Sequence, residues 1–263
     1  MQQWRLIDSG ASDAALNMAL DEAIARAVRS SEQPPTLRIY QWSRQSISIG
    51  AFQKTSDISI EYCIRNNIPI VRRPTGGRAV LHGDELTYSI SAPNEGHFSK
   101  GLFNTYAAIG SAFVLAFQYC GLNAETRATK NSGANLTRSP VCFNASSLGE
   151  VCVGKIKITG AAQKRWDNAF LQQGSIPLSI DYDTARGVFP CCSNDCSALH
   201  GLKEWLPHIN RRFLAENIVR ALKEVFSINL RPAGPSDPEI AYADHLAQTK
   251  YLSSQHTFRT GHQ

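Results

Sequence analysis

The hydrophobic period of this chain switches repeatedly between helical and extended spacing, and that interleaving limits the fold more than any other feature. Leu16, Leu20, Ala23, Ile24, Ala27 and Val28 share one helical face, with Ser12 placed to cap the helix and Pro34-Pro35 closing it. Leu37 and Ile39, then Ile47 and Ile49, alternate with polar neighbours, so residues 36–42 and 46–50 are predicted strands. Residues 4–7 form a further short strand, 57–67 a short helix and 68–72 a strand. Residues 78–82 and 85–91 are predicted to pair as a hairpin through His82-Gly83-Asp84. The clearest helix is 103–120, apolar nearly all round and therefore expected against a sheet.

From 123 to 140 the pattern dissolves into Thr, Ser, Asn and Gly with Arg127, Lys130 and Arg138, the kind of long irregular stretch that is either functional or mobile. Strands resume at 148–153, 155–160 and 170–178. Helices near 199–206, 211–226 and 238–251 follow, with no strand partner of their own. Strands and helices mix without regular βαβ alternation, which predicts an α+β fold: a mixed, largely antiparallel sheet flanked by helices. No repeat or linker is visible. One domain over residues 1–263 is expected, its C-terminal helical segment, about 199–255, packed on the rest.

Composition narrows the function. A hydrophobic fraction of 43% and a charged fraction of 19% suit a folded globular chain. The N-terminus lacks the apolar run of a secretory signal, and apolar runs such as 112–117 fall far short of a bilayer span, so a cytoplasmic location is expected without a membrane partner. Seven cysteines, an odd number, are too few for a disulfide scaffold and read as thiols. The net charge of +5 comes without a dense Lys/Arg run and interleaved aromatics, so it points away from nucleic acid and suits an acidic protein partner.

Several constellations could carry chemistry. Thr75-Gly76-Gly77 lies between two predicted strands, where paired glycines bring amides close to a ligand and Arg72, Arg73 and Arg78 favour an anionic or polarised oxygen; a plain hairpin with surface arginines fits the same spacing. The turn matches neither phosphate-binding fingerprint. Cys142 follows the irregular stretch and is either a nucleophilic thiolate or a small buried apolar residue. Lys155 and Lys157 alternate on a predicted strand and face one side, which is either a solvated face or one lysine aimed into a pocket. Cys191, Cys192, Cys196 and His200 match no standard zinc spacing, so no metal is expected. Neither His82 nor His200 has the sequence context of a triad, and no G-x-S-x-G element is present.

Read in order, the segment Arg72-Arg73-Pro74-Thr75-Gly76-Gly77-Arg78-Ala79-Val80-Leu81-His82 followed by Glu85-Leu86-Thr87-Tyr88-Ser89 resembles the signature of the biotin/lipoate protein ligase catalytic domain, in its lipoate and octanoate branch. Ser46 to Gln53 resembles that branch's S-x-G-x-x-Q strand end, Lys157 to Gln163 its K-x-x-G-S-A-Q element, and Gln172 to Ile176 its Q-H-G-S-I. Cys142-Phe143-Asn144-Ala145-Ser146-Ser147 is similar to the C-F-D-A-P-S segment of the cysteine-dependent octanoyltransferases, with Asn144 and Ser146 as departures. Ala161 and Gln173 stand where the family usually has Ser and often has His.

The resemblance implies the family's fold without a separate accessory domain. It implies an octanoyl-[acyl-carrier-protein]:protein N-octanoyltransferase that passes octanoate through a thioester on Cys142 to the lysine of a lipoyl domain, such as the glycine cleavage H protein. Lys157 would lower the thiol pKa and polarise the acyl carbonyl; Arg73, Thr75, Gly76, Gly77, Arg78, His82 and Gly160 would form the substrate pocket. No cofactor is implied. ATP and Mg enter only under the alternative, a lipoate-protein ligase; a third activity is amidotransfer between lipoyl domains, and a fourth reading is a non-catalytic binder.

Overall fold

The computed structural model describes residues 1–127, 150–190, 196 and 199–259. The Cys142 segment, Lys130, Arg138, Cys191 and Cys192, and the first two residues of the strand expected from 148 lie outside these.

A six-stranded sheet forms the centre, in the order β10-β11-β6-β2-β1-β12. Its strands are β1 (Gln2–Ser12), β2 (Thr36–Trp42), β6 (Glu85–Pro93), β10 (Gly160–Arg165), β11 (Ala169–Pro177) and β12 (Ile228–Pro232). Three neighbouring pairs are antiparallel, while β1 runs parallel to both β2 and β12, so the sheet is mixed as expected. A small sheet, β4-β3-β5, is made from β3 (Ser46–Ile49), β4 (Ile70–Arg72) and β5 (Val80–His82). A second small sheet joins β7 (Glu125–Thr126), β8 (Val151–Val153) and β9 (Ile156–Lys157).

Both faces of the large sheet are covered. Leu37 and Ile39 of β2, with Tyr88 and Ile90 of β6, pack under α3 (Leu102–Tyr119) and α5 (Arg211–Phe226) through Phe113, Phe117, Ile218 and Leu222. On the opposite face Tyr40 and Trp42 meet α1 (Ala14–Arg29) and α6 (Asp237–Leu246) through Met18, Ile24 and Leu246. That two-sided burial is the period-two pattern of β2 put to use, each alternate residue serving a different core. The helix expected at 103–120 thus lies against the sheet, its Phe113 ring 4.5 Å from that of Tyr88.

Four expectations are corrected. The cap of α1 is Asp13, whose carboxylate accepts from Leu16 N at 2.8 Å, while Ser12 is the last residue of β1. The hairpin through 82–84 does not form: β5 pairs with β3 in the small sheet and β6 with β2 and β11 in the large one. The chain changes sheets there because Asp84 is held elsewhere, its carbonyl accepting from Leu178 N and its carboxylate paired with Lys203 and Arg211. Lys155 and Lys157 do not share a face. Gly154, at φ +57°, opens a tight turn that leaves Lys155 exposed, whereas Lys157 is buried on β9. The C-terminal part does own a strand, since β12 follows α5 and pairs with β1.

The helix expected over 57–67 is shorter, α2 (Ile60–Arg65), with Ser59 as its cap. Segments 182–188 and 254–257 add α4 (Tyr182–Val188) and α7 (Ser254–Thr257). Among the described residues no helix is long and apolar enough to cross a membrane.

Candidate active site

The turn between β4 and β5 is built from its arginines inward. Arg73, 5% exposed, donates through Nε and Nη2 to Gly76 O at 3.1 and 2.6 Å, through Nη2 to Arg78 O at 2.7 Å, and through Nη1 to Ser48 O and Oγ at 3.0 and 3.1 Å. The guanidinium fork suits this because its donors are fixed in a plane and can grip several carbonyls at once. Arg72 does the same on the far side, donating to Gly50 O and Gln53 O, both at 2.8 Å, and to Thr257 O at 3.1 Å. Burial, reinforced by the nearby charge of Arg259, pulls the Arg72 pKa down.

These two arginines therefore clamp backbone, a structural role that the sequence reading of a field around the turn did not include. Among the described residues Arg78 Nη1, like Arg72 Nη2, is buried without a hydrogen-bond partner. Gly77 holds φ +84°, and a Cβ there would come within 3.3 Å of Ala162 Cβ, so the turn lies against β10.

Beneath the turn is a cavity of about 350 Å³ including its mouth. Met18, Tyr40, Trp42 and Val80 give it apolar walls; Gly160, Ala161, Ala162 and Gly174 keep its strand side shallow; Ser48, Arg73, His82 and Gln173 add polar groups. Of the residues expected in the pocket, Arg73, His82 and Gly160 line it. Thr75 reaches it indirectly, donating from Oγ1 to Gln173 Oε1 at 2.8 Å. Gly76, Gly77 and Arg78 are not among its lining residues; the two glycines belong to the turn that Arg73 clamps.

Two buried polar networks, neither foreseen from sequence, flank this cavity. In one, Asp21 and Arg38, both fully buried, pair at 2.7 Å. Asp21 also accepts from Tyr40 Oη at 2.8 Å, Ser89 Oγ at 2.6 Å and Gln173 Nε2 at 2.7 Å, and Arg38 Nη2 donates to Asn17 Oδ1 at 2.7 Å. A buried ion pair holds only when its remaining lone pairs and protons are satisfied, and here they join α1 to β2, β6 and β11. Burial, and then the Asp21 charge, push the Tyr40 phenol well above its ordinary value, so it stays a donor. Gln173, at the position of the family's imidazole, is a link in this network, its amide oriented by Thr75 on one side and Asp21 on the other.

In the second network His82 faces Glu85 Oε1 with Nδ1 at 2.7 Å and Ser48 Oγ with Nε2 at 2.8 Å. Glu85 also accepts from Thr87 Oγ1 and from Ser175 Oγ, the latter at 2.8 Å; Trp42 Nε1 donates to Thr87 Oγ1 at 2.9 Å and its ring stacks 3.8 Å from His82. Burial alone would raise the Glu85 carboxyl, but the His82 charge and the bonds from His82, Thr87 and Ser175 outweigh it and hold it below the usual carboxylate range. The order Ser48, His82, Glu85 has the spacing of nucleophile, base and acid. Ser48, however, is 2% exposed and its Oγ already receives Arg73 Nη1, so the chain of bonds acts as a wall.

Lys157 is the one described catalytic candidate that does not line the cavity. It is 6% exposed, and Nζ donates to Glu150 Oε1 at 2.6 Å. Glu150, missed in the sequence because it adjoins the irregular stretch, lines a neighbouring cavity under α3 together with Thr159, Gln172 and Ala161. Ala161 borders both cavities, while Lys157 lines neither and reaches the second only through Glu150. Among the described residues no group of three or more His, Cys, Asp or Glu could hold a metal ion. His200 instead faces Glu204 Oε2 at 2.7 Å, and Cys196 is half-buried.

A small cavity with apolar walls and a few convergent polar groups has the form of a small-molecule site. The chain belongs to the lipoyl protein ligase A/B catalytic domain family, which residues 13–227 match. It is 35% identical to an octanoyltransferase LipM of Bacillus subtilis, over 98% of this chain and 99% of that one. A LipM of Moorella thermoacetica is 36% identical over 96% and 97%. Among solved structures, a lipoate-protein ligase A bound with ATP superposes with a TM-score of 0.83 at 22% identity, covering 97% of this chain and 98% of that one. A putative lipoate protein ligase from T. acidophilum with bound lipoic acid gives 0.82 at 21% identity, covering 98% and 99%. These two likenesses establish the fold.

Proposed function

We infer that the chain is an octanoyltransferase that carries octanoate to the lysine of a lipoyl domain. What carries the reading is 35–36% identity, over nearly the whole length of both chains, to octanoyltransferases. The cavity agrees with it: Met18, Tyr40, Trp42 and Val80 offer an aliphatic chain apolar contact, and Gly160 and Gly174 leave it room.

In the proposed mechanism Cys142, as thiolate, attacks the carbonyl of octanoyl-acyl carrier protein and expels the carrier's thiol, forming an enzyme thioester. The lysine amine of the lipoyl domain then attacks that thioester, releases Cys142 and leaves an amide. Both steps start from a thioester, so neither requires ATP. Burial pushes the thiols of Cys63 and Cys120 up to about 11 and raises that of Cys152, which makes these three poor nucleophiles at neutral pH. Lys157, held by the Glu150 that lines the neighbouring cavity, supplies a positive charge to the thiolate and to the developing oxyanion. The Arg78 Nη1 without a partner and the turn backbone at Gly76 and Gly77 form the other side of the acyl head.

The experiment is incubation with octanoyl-acyl carrier protein, without ATP, followed by intact-mass and peptide mass spectrometry. An octanoyl adduct on Cys142, chased onto a lipoyl domain and absent in Cys142→Ser, is the expected result. Modification only when free octanoate and ATP are supplied, by wild type and Cys142→Ser alike, makes the protein a ligase instead. Transfer only from an octanoyl-lipoyl domain makes it an amidotransferase.

A further inference from the structure

A second cavity lies directly behind the first. It measures about 740 Å³ including its mouth, and Ala79, Leu81, Ile180, Ala185, Phe189 and Leu199 are its apolar lining. Val80 and His82 border both cavities. The register of the sheet shows how the two are arranged. Thr87 and its partner Ser175 face the first cavity, while Glu85 and its partner Pro177, one step further along the same face, line the second. Residues two apart on a strand are separated by roughly 6.6 Å, so the partition is a single rung thick.

That rung is the His82–Glu85 pair with Thr87, Ser175 and Ser48 bonded to it and Trp42 stacked on the imidazole. We propose that the His82–Glu85 wall is the acyl-length stop of this enzyme, and that the cavity behind it is a latent binding site for the distal methylenes of longer acyl chains. The inference rests on the reading that the acyl chain occupies the first cavity, head towards Ala161 and tail towards Val80 and His82.

The chemistry of the wall explains why it stops a chain that a wall of leucines would admit. Each further buried methylene favours binding by about fourfold. Parting His82 from a fully buried carboxylate opposes binding by a factor on the order of several hundred. About four extra methylenes are therefore needed before forcing the wall breaks even, so slightly longer chains are disfavoured and a dodecanoyl chain gains nothing over octanoyl while the wall stands. Val80 closes the same gap sterically from β5.

The test compares kcat/KM for dodecanoyl- and octanoyl-acyl carrier protein in wild type, Val80→Ala and His82→Ala. The dodecanoyl-to-octanoyl ratio should rise at least tenfold in His82→Ala and severalfold in Val80→Ala. Adding Ala185→Leu, which fills the second cavity from α4, should return the ratio to the wild-type value; Ala185→Leu alone should leave octanoyl transfer unchanged. A ratio within twofold of wild type in the folded variants overturns the proposal, as does a rise that Ala185→Leu fails to reverse. If His82→Ala does not fold, the Val80→Ala pair decides. Octanoyl transfer by wild type is a separate readout. Should it be absent, the functional reading fails, and equilibrium binding of free octanoate and dodecanoate to the same variants still shows whether the wall limits length.

Discussion

Three alanine substitutions around one turn separate a structural clamp from a flexible loop. A Cβ at Gly76 meets nothing within 4 Å, and this residue has no left-handed backbone, so Gly76→Ala should change stability by no more than about 0.5 kcal/mol. Gly77 is different. Its φ of +84° costs an L-residue roughly 1–2 kcal/mol. Its Cβ would also stand 2.9 Å from Arg73 Nη2, the atom bonded to both Gly76 O and Arg78 O.

A free guanidinium would swing aside at little cost, but this one is fixed at Ser48 as well, so at least one charged bond weakens, for roughly 1.5–3 kcal/mol. Gly77→Ala should therefore lose about 3–4 kcal/mol, which lowers the melting temperature of a chain this size by about 10 °C. Gly50→Ala should be worse, because its Cβ would overlap Gly77 O and also approach Gly76 C, and backbone cannot rotate away. Thermal melts and octanoyl transfer by the three variants are the assays. Gly77→Ala melting within 2 °C of wild type, or Gly76→Ala falling as far as Gly77→Ala, would refute the clamp.

Other consequences can be measured independently. Thr75→Val should orphan the buried Gln173 Oε1 and destabilise by about 1–3 kcal/mol in chemical denaturation, more than the isosteric change would cost at an exposed site. Lys157→Ala should lower kcat/KM for octanoyl transfer by about 10²–10³ with little change in far-ultraviolet circular dichroism; retention of a tenth or more of the activity would remove Lys157 from the mechanism. Burial would raise Glu239, but bonds from Arg5 and Ser236 hold its pKa below 4.5, and Glu85 is lowered likewise. A carboxyl depressed in the folded state contributes stability that is present above its unfolded pKa and lost as the pH falls through its folded one. Melting temperature should therefore fall below about pH 4.5, and Glu239→Gln should flatten that acid limb while lowering stability at neutral pH.

What could be read from the sequence was local. Residues 36–42 alternate cleanly and α5 has strong helical spacing, so both elements lie where expected. Strand β10, Gly-Ala-Ala-Gln-Lys-Arg, contains no β-branched or aromatic residue, and only its pairing with β11 makes it a strand. β12 has five residues directly after a helix, too few to show a period. The same division holds at the site. The Thr-Gly-Gly turn announces itself through composition, whereas Asp21, Arg38 and Gln173 each look like ordinary polar positions. Their partners are 17 and 152 residues apart, and nothing short of the folded sheet brings them together. Arg72 and Arg73 were legible as important but not as gripping backbone, because a sequence does not show which carbonyls a guanidinium will find.

The path of the outermost parallel strands has a consequence for how the chain is made. β1 is synthesised more than 200 residues before β12, yet on one side it pairs only with that strand, and the Arg72 beside the turn bonds to Thr257 O. Emerging from the ribosome, the nascent protein holds an unpaired strand edge and an unfinished turn until its last described helix is out. Such distant pairings close slowly, and an open edge invites association with other chains in the interval. Residues 228–257 therefore act as the step that commits this enzyme to its fold, and a product stalled or clipped before them should aggregate rather than persist as a weaker catalyst.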